Sequence, residues 1–313
     1  MMPGPLQVAL VQASPVHVNL EASLDKVESL TRDAAALGSR LVVFGETFIT
    51  GYPAWIDSSP GAALWDHAAT KEAYAQLRRN SPVIPGPETD RLGALARELQ
   101  IVLVIGAHER VDSGPGAGTL YNALLTFGTN GALLNHHRKL VPTYTERLLW
   151  GQGDADGVKV VETEIGRLSG LICWEHWMPM PRQALHSFGE DIHIAAWPTV
   201  HEMLQIASRH YAFEGRCYVL AVGTLMKVSD LPAGLPPTDD LARTPGAFLV
   251  RGGSCIIGPD GKFITQPLFE EERIITATLD PLAIDRERMT LDVAGHYARP
   301  DLFEWNMKDN SRD

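Results

Sequence analysis

Apolar and polar positions along this chain change period repeatedly. LQVALVQA (6–13) is β-rich and reads as a first strand. NLEASLDKVESLTRDAAALG (19–38) then sets Leu20, Leu24, Val27, Leu30 and Ala34 at helical spacing, with Asn19 as N-cap and Gly38 as stop. LVVF (41–44) is a short buried strand, ETDRLGALARELQ (88–100) a helix and IVLVIGA (101–107) a strand. LYNALLTFG and ALLNHHRK, separated by TNG, form a hairpin pattern. RLSGLIC and DIHIAAW are strands flanking a helix near 179–189. A helix at 201–215, the strand CYVLAVGT, a second hairpin near 253–266 and the strand RIITATLD follow. β-α alternation interleaved with hairpins predicts an α/β fold with a mixed sheet, or two sheets, inside helical layers. The segment 229–246, rich in Pro, Gly and Asp, is expected to be a long loop, and 50–65 is irregular.

Composition narrows the function classes. The chain has 313 residues, 45% hydrophobic and 21% charged, enough for a large core. Its net charge of −11, without a basic run, argues against nucleic-acid or anionic-membrane partners. Three scattered cysteines, at 173, 217 and 255, suit a reducing compartment rather than a disulfide framework. The first apolar run lacks a basic region before it, and no apolar run approaches membrane-spanning length. The expectation is a cytoplasmic protein.

Several apparent motifs fail. GPGAGT (114–119) is followed by a hairpin rather than a helix, so it reads as a turn and not a nucleotide loop. GQGDADG (151–157) has neither phosphate-loop nor calcium-loop spacing. Cys173 and His176 are one pair without a second, so no zinc site or other metal is expected. His17, His67, His186 and His193 are scattered, and each alone reads as a core or surface residue.

Three stretches share one layout, an apolar run that ends in an ionisable residue. LVVFGE ends in Glu46, NHHRK ends in Lys139 with Glu146 seven residues on, and LSGLIC ends in Cys173. Ligands gather at the carboxyl ends of strands in α/β folds, so these groups can converge. A thiol attacks as thiolate, a partly buried carboxylate takes its proton, and an ammonium stabilises developing negative charge. Each residue also has a plain reading: Glu46 as a helix cap, Lys139 in a salt bridge, Cys173 in the core.

Taken together, FGETFITGYP, HRKLVPTYTERLLWGQGD and CWEHWMPMPR closely resemble the signatures of the nitrilase superfamily of carbon–nitrogen hydrolases. The resemblance runs from VALVQASPV to GHYARPDLF, and CWE and PTYTERLLWG resemble its nitrilase branch. It implies a four-layer α-β-β-α sandwich of two packed sheets, with Glu46 as general base, Lys139 as stabilising cation, Cys173 as nucleophile and Glu146 positioning the lysine or water. It implies a small-molecule nitrile as substrate, no cofactor, and a homo-oligomer, dimeric or larger. The expected organisation is one hydrolase domain over 1–290 and a C-terminal arm over 291–313 at an oligomer interface. Trp174, Tyr52 and Trp197-Pro198-Thr199 are candidate walls of the substrate site, although core packing serves Tyr52 and Trp197 equally well. His176 departs from the asparagine found in many nitrilases, and it is counted among the substrate-binding candidates. Trp174 and Trp177 favour a slim nitrile, while Glu175 and His176 could accept from an amide. The residues alone therefore leave nitrilase and amidase open, with a silent binding scaffold as a third reading, and the resemblance selects nitrilase.

Overall fold

The computed structural model describes residues 2–244 and 246–307. In chain order they form β1 (Leu6–Gln12), α1 (Leu20–Ala36), β2 (Leu41–Phe44), the short α2 (Trp55–Ser58), α3 (Ala68–Arg79), α4 (Pro87–Leu99), β3 (Val102–Arg110), β4 (Leu120–Phe127) and β5 (Leu133–Arg138). After a 3-10 turn at Tyr144–Leu148 come β6 (Val161–Thr163), β7 (Gly166–Ile172), a second 3-10 turn at Cys173–Trp177, α5 (Pro179–Phe188), β8 (Ile192–Ala196), α6 (Glu202–Gly215), β9 (Tyr218–Val222) and β10 (Leu225–Lys227). A third 3-10 turn (Val228–Asp230), α7 (Asp239–Ala242), β11 (Phe248–Ile257), β12 (Phe263–Phe269), β13 (Arg273–Leu279) and α8 (Pro281–Arg288) follow.

The strands build two mixed sheets. One runs β13-β1-β2-β3-β4-β5; its β1, β2 and β3 are parallel and its remaining pairs antiparallel. The other runs β10-β11-β9-β8-β7-β6, with β12 paired to β11 and a parallel centre of β7, β8 and β9. Strand alternation sorts the side chains into layers. Val8, Leu10, Leu41, Val43, Val102 and Val104 face Ile172, Ile194 and Leu220 of the other sheet. Their neighbours Ala9, Val11, Val42, Phe44, Leu103 and Ile105 face Leu24 and Val27 of α1 and Leu92 and Ala96 of α4. On the far side, α5 and α6 bury Ala184, Leu185, Leu204, Ala207 and Tyr211 against the second sheet. The result is the four-layer α-β-β-α sandwich.

The Asn19 side chain caps α1 by accepting from the Ala22 amide at 3.1 Å. Residues 114–119 form a turn between β3 and β4. The elements α2, α3, β6, β10 and α8 were not anticipated, α2 falling in the stretch read as irregular. The stretch 229–246 is not a plain loop, because it holds the third 3-10 turn and α7; Pro245 and residues 308–313 lie outside the described residues. Among the described residues no helix is long and apolar enough to cross a membrane.

Candidate active site

Glu46, Lys139 and Cys173 each follow the last residue of a strand or its immediate turn: Glu46 after β2, Lys139 after β5, Cys173 after β7. The first two therefore leave one sheet and the third leaves the other. Local backbone departs from the ordinary at each point. Cys173 has φ +54°, Thr47 beside Glu46 has φ +47°, and Tyr144, two residues before Glu146, has φ +46°. Left-handed backbone at non-glycine residues is strained, and such strain gathers at functional sites. Gly106 on β3 admits the Glu46 turn, since a side chain there would collide with the Gly45 carbonyl and the Thr47 amide.

The charged groups converge. The Lys139 ammonium donates to Glu46 Oε1 at 2.9 Å and to Glu146 Oε2 at 2.7 Å, with all three side chains buried. Acceptor atoms of Glu46, Glu146 and Cys173 lie within 4.8 Å of one another. The cation shared by the two carboxylates is thus part of the chain itself. Glu46 Oε1 also accepts from Asn122 Nδ2 at 2.6 Å. Glu146 accepts from the Thr143 amide at 2.6 Å and from the Tyr52 hydroxyl at 2.8 Å. Glu46 Oε2 is buried without a partner.

Burial raises the Glu46 carboxyl to about 7, against the pull of Lys139; the charge on Glu146 pushes it the same way as burial. Burial also lifts the Cys173 thiol well above its usual range; Lys139 and the Trp174 backbone amide oppose this, while Glu46 and Glu146 add to it. For Lys139, burial works against the ammonium, but the charges of Cys173, Glu46 and Glu146 outweigh it and hold the proton firmly. The resting arrangement is a protonated thiol facing a carboxylate that changes charge near neutrality.

Of these groups, Glu146 and Cys173 line a cavity of about 500 Å³, and Glu46 and Lys139 are buried beside them. Cys173, Glu146, Tyr52, Trp174, Pro198 and Thr199 line it, as do Leu204, Leu241, Leu249 and Val250. Trp174 is 55% exposed, and α7 contributes Leu241 to the rim.

Two candidate wall residues are elsewhere. His176 and Trp197 are buried behind Cys173, their rings 4.6 Å apart and tilted by 30°, and neither lines the cavity. His176 is engaged instead by the Cys173 carbonyl, to its Nδ1 at 2.7 Å, and by His193, at 3.0 Å. Glu175 is likewise unavailable to an amide. It accepts from the Ile172 amide at 2.6 Å and the Leu140 amide at 2.7 Å, and pairs with His137 at 2.9 Å. Glu175 thus ties the segment after Lys139 to the end of β7. The 3-10 turn is the physical reason for the placement of His176 and Glu175: its tight pitch swings Trp174 and Trp177 outward and folds Glu175 and His176 inward, while Trp197 follows β8 into the core. Sequence reasoning did not find Asn122, which sits mid-strand without a distinguishing pattern, nor the meeting of His186 and His193 with Glu190.

A family model described as carbon–nitrogen hydrolase matches residues 7–288. A protein named Nitrilase 2, from an unidentified prokaryote, is 40% identical over 99% of this chain and 94% of its own length. A bifunctional nitrilase/nitrile hydratase, NIT4A of Lupinus angustifolius, is 38% identical over 97% of this chain and 86% of its own. The crystal structure of Saccharomyces cerevisiae Nit3, a member of branch 10 of the nitrilase superfamily, shares the fold at TM-score 0.71 and 21% identity, covering 95% of this chain and 97% of that one.

Proposed function

This chain belongs to the carbon–nitrogen hydrolase family, in its nitrilase branch, and from that premise we propose how its cavity converts R–C≡N and two waters into R–COOH and ammonia. The observation that carries the assignment of residues is the meeting of the Cys173 thiol, at the cavity wall, with two carboxylates bridged by Lys139.

In this reading Glu46 accepts the Cys173 proton as sulfur bonds to the nitrile carbon, and the proton passes to the nitrogen. The product is a thioimidate. A thiol held neutral by burial needs such a base, and a carboxyl near 7 is matched to the task. The first water loses its proton to Glu46 and adds to give a tetrahedral intermediate. The Lys139 ammonium and the Trp174 backbone N–H stabilise the charge that develops there. Ammonia leaves, a thioester remains, and the second water hydrolyses it to acid and free thiol. Glu146 orients Lys139 and holds Tyr52. No cofactor enters these steps. The apolar rim of Leu204, Leu241, Leu249 and Val250 favours an apolar R group.

The printed name of the Lupinus relative adds a branch point. A tetrahedral intermediate that expels sulfur instead of ammonia yields the amide. With Glu175 and His176 both turned away, an amide substrate finds neither of those acceptors, and any amide donor that Glu46 Oε2 does not meet costs about 1–3 kcal/mol. A nitrile is therefore turned over at least about tenfold faster than its amide, with acid as the main product. Acid, amide and ammonia release from phenylacetonitrile and phenylacetamide, or from an aliphatic pair, is the test. Faster amides across several pairs would make the enzyme an amidase.

The same proposal includes a reducing, cytoplasmic setting, one hydrolase domain over 1–290 and a homo-oligomer that uses 291–313. Exposed Tyr297, Leu302 and Phe303 support the last point. A 34 kDa particle by light scattering at micromolar concentration would overturn it.

A further inference from the structure

Behind Cys173, on the side away from the cavity, buried polar groups run in series. His176 Nδ1 faces the Cys173 carbonyl at 2.7 Å, and His176 Nε2 faces His193 Nε2 at 3.0 Å. His193 Nδ1 faces Glu190 Oε2 at 3.0 Å and Ser169 Oγ at 2.8 Å, and that hydroxyl in turn contacts the same Glu190 oxygen. Glu190 Oε1 accepts from Tyr211 at 2.6 Å and from His186 at 3.0 Å. The far end reaches solvent, since His186 lines a cleft of about 170 Å³ with Arg167 and Arg288.

The protons along this series can be counted with Glu190 as a carboxylate, the form its histidine partners favour. A carbonyl only accepts, so His176 Nδ1 carries a hydrogen. The contact between the two Nε2 atoms holds one hydrogen. Two neutral imidazoles supply no more than these two, which leaves His193 Nδ1 bare. It would then face Glu190 Oε2 and Ser169 Oγ with a lone pair. The single serine hydrogen can serve either Glu190 or His193, so one acceptor–acceptor contact would remain in a dry site. A hydrogen on His193 Nδ1 removes that conflict, because it points at both oxygens while the hydroxyl donates to Glu190. Unmet pairing of this kind is costly in low dielectric.

We propose that His176 and His193 hold three ring N–H hydrogens between them, a shared-proton cation balanced by Glu190, and that His176 thereby acts as a positioning residue for the Cys173 backbone. The strained φ of Cys173 gives this anchor its purpose: the carbonyl is held while the side chain is presented to the cavity. The groups facing the pair are His186 from the last turn of α5, Glu190 from the connection between α5 and β8, Arg182 from the first turn of α5, Tyr211 from α6, and Glu175 and Cys173 from the 3-10 turn. Burial, the largest influence, carries both rings below the usual histidine range, His176 well below it with help from His193 and Arg182; Glu190 opposes this for both, the Cys173 carbonyl for His176 and Glu175 for His193, so the proton count stands on the hydrogen-bond geometry. The positioning role rests on Cys173 being the nucleophile, whereas the proton count does not.

The test is histidine-selective ¹⁵N NMR of the full chain, with His176→Asn to assign signals and a neutron structure as a second route to the same count. Three protonated nitrogens among the four are expected at neutral pH. A bare His193 Nδ1 would overturn the count. For positioning, His176→Asn keeps a side-chain N–H for the Cys173 carbonyl and His176→Leu does not. The leucine variant should lose about 10²-fold in kcat with KM little changed, as misplacement does, and asparagine should restore most of it. Because the protonated pair is the active form, wild-type kcat should fall as pH rises through its titration, and the asparagine variant should lack that limb. Equal losses in both variants would overturn the positioning role. A covalent adduct on Cys217 or Cys255 would overturn the functional reading instead and leave the count standing.

Discussion

Two groups of buried charge flank Cys173, one between it and the first sheet and one behind it. In front, Lys139 bridges Glu46 and Glu146, yet Glu46 Oε2 is left without a partner. Behind, the carboxylate of Glu190 receives Tyr211, His186, His193 and Ser169, and no buried side-chain atom of that group is left unpartnered. The titration directions differ in step. Burial drives the Glu46 carboxyl up to about 7, whereas around Glu190 the paired histidines overcome burial and hold the carboxyl far below its usual range. Burial opposes the charge on His186 as well, but Glu190 and Glu214 raise it to about 9. An open valence and an unsettled proton mark the group to which the chemistry is assigned by proposal; a closed set of hydrogen bonds marks the group behind it.

That contrast can be broken by substitution. Cys173→Ala should abolish ammonia release with the circular dichroism unchanged, and mass spectrometry of a slow substrate should find the acyl adduct on Cys173. Glu46→Gln should lower kcat/KM by about 10²–10⁴, typical of general-base loss, and Lys139→Met by at least as much. The wild-type acid limb should lie near pH 7 and vanish in Glu46→Gln, since the base works only when ionised and activity rises with pH through its titration. The same shift bears on stability: between the ordinary carboxylate range and about 7 the folded state holds a proton that the unfolded state has lost, so this group's contribution to stability falls as pH rises.

Glu190→Gln belongs to the other group and should act on stability, costing about 3–5 kcal/mol in urea unfolding because His186 loses a buried counter-charge. Glu46→Gln should leave the unfolding midpoint far less changed; equal destabilisation by the two would erase the distinction. Tyr52→Phe should lower kcat/KM about tenfold by removing a hydrogen bond to ionised Glu146, worth roughly 1.5 kcal/mol. Cys217→Ala should change kcat/KM by no more than about twofold, as a core thiol packs like a small apolar group.

What the chain reveals in one dimension follows the same divide. The meeting of Glu46, Lys139 and Cys173 was legible because each stands at the carboxyl end of a strand, where the fold puts ligands, and Glu46 and Cys173 close apolar runs. The two hairpins and α1, α4, α5 and α6 were legible through their periodicity and turn residues. Helix α3 was missed because it buries only Ala73 and Leu77, too thin a stripe to stand out. Strands β6 and β10 are three residues each, shorter than a period can register. His186 and His193 read as isolated residues because Glu190, which joins them, lies in the connection between α5 and β8. The inward turn of His176 depended on a five-residue 3-10 segment, which has no apolar stripe to declare its inner face.

The division of Glu46 and Cys173 between two sheets gives the active site the character of a caliper, with its jaws fixed to separate plates. The gap between the jaws is then set by whatever keeps the plates apart. Gly170, three residues before Cys173, is one such spacer: a side chain there would press on Leu124 of the opposite sheet and on Ile194 beside it. A single methyl group at that distant point would widen the plates and so the reach from thiol to base, and the rate of nitrile hydrolysis would gauge the thickness of the core.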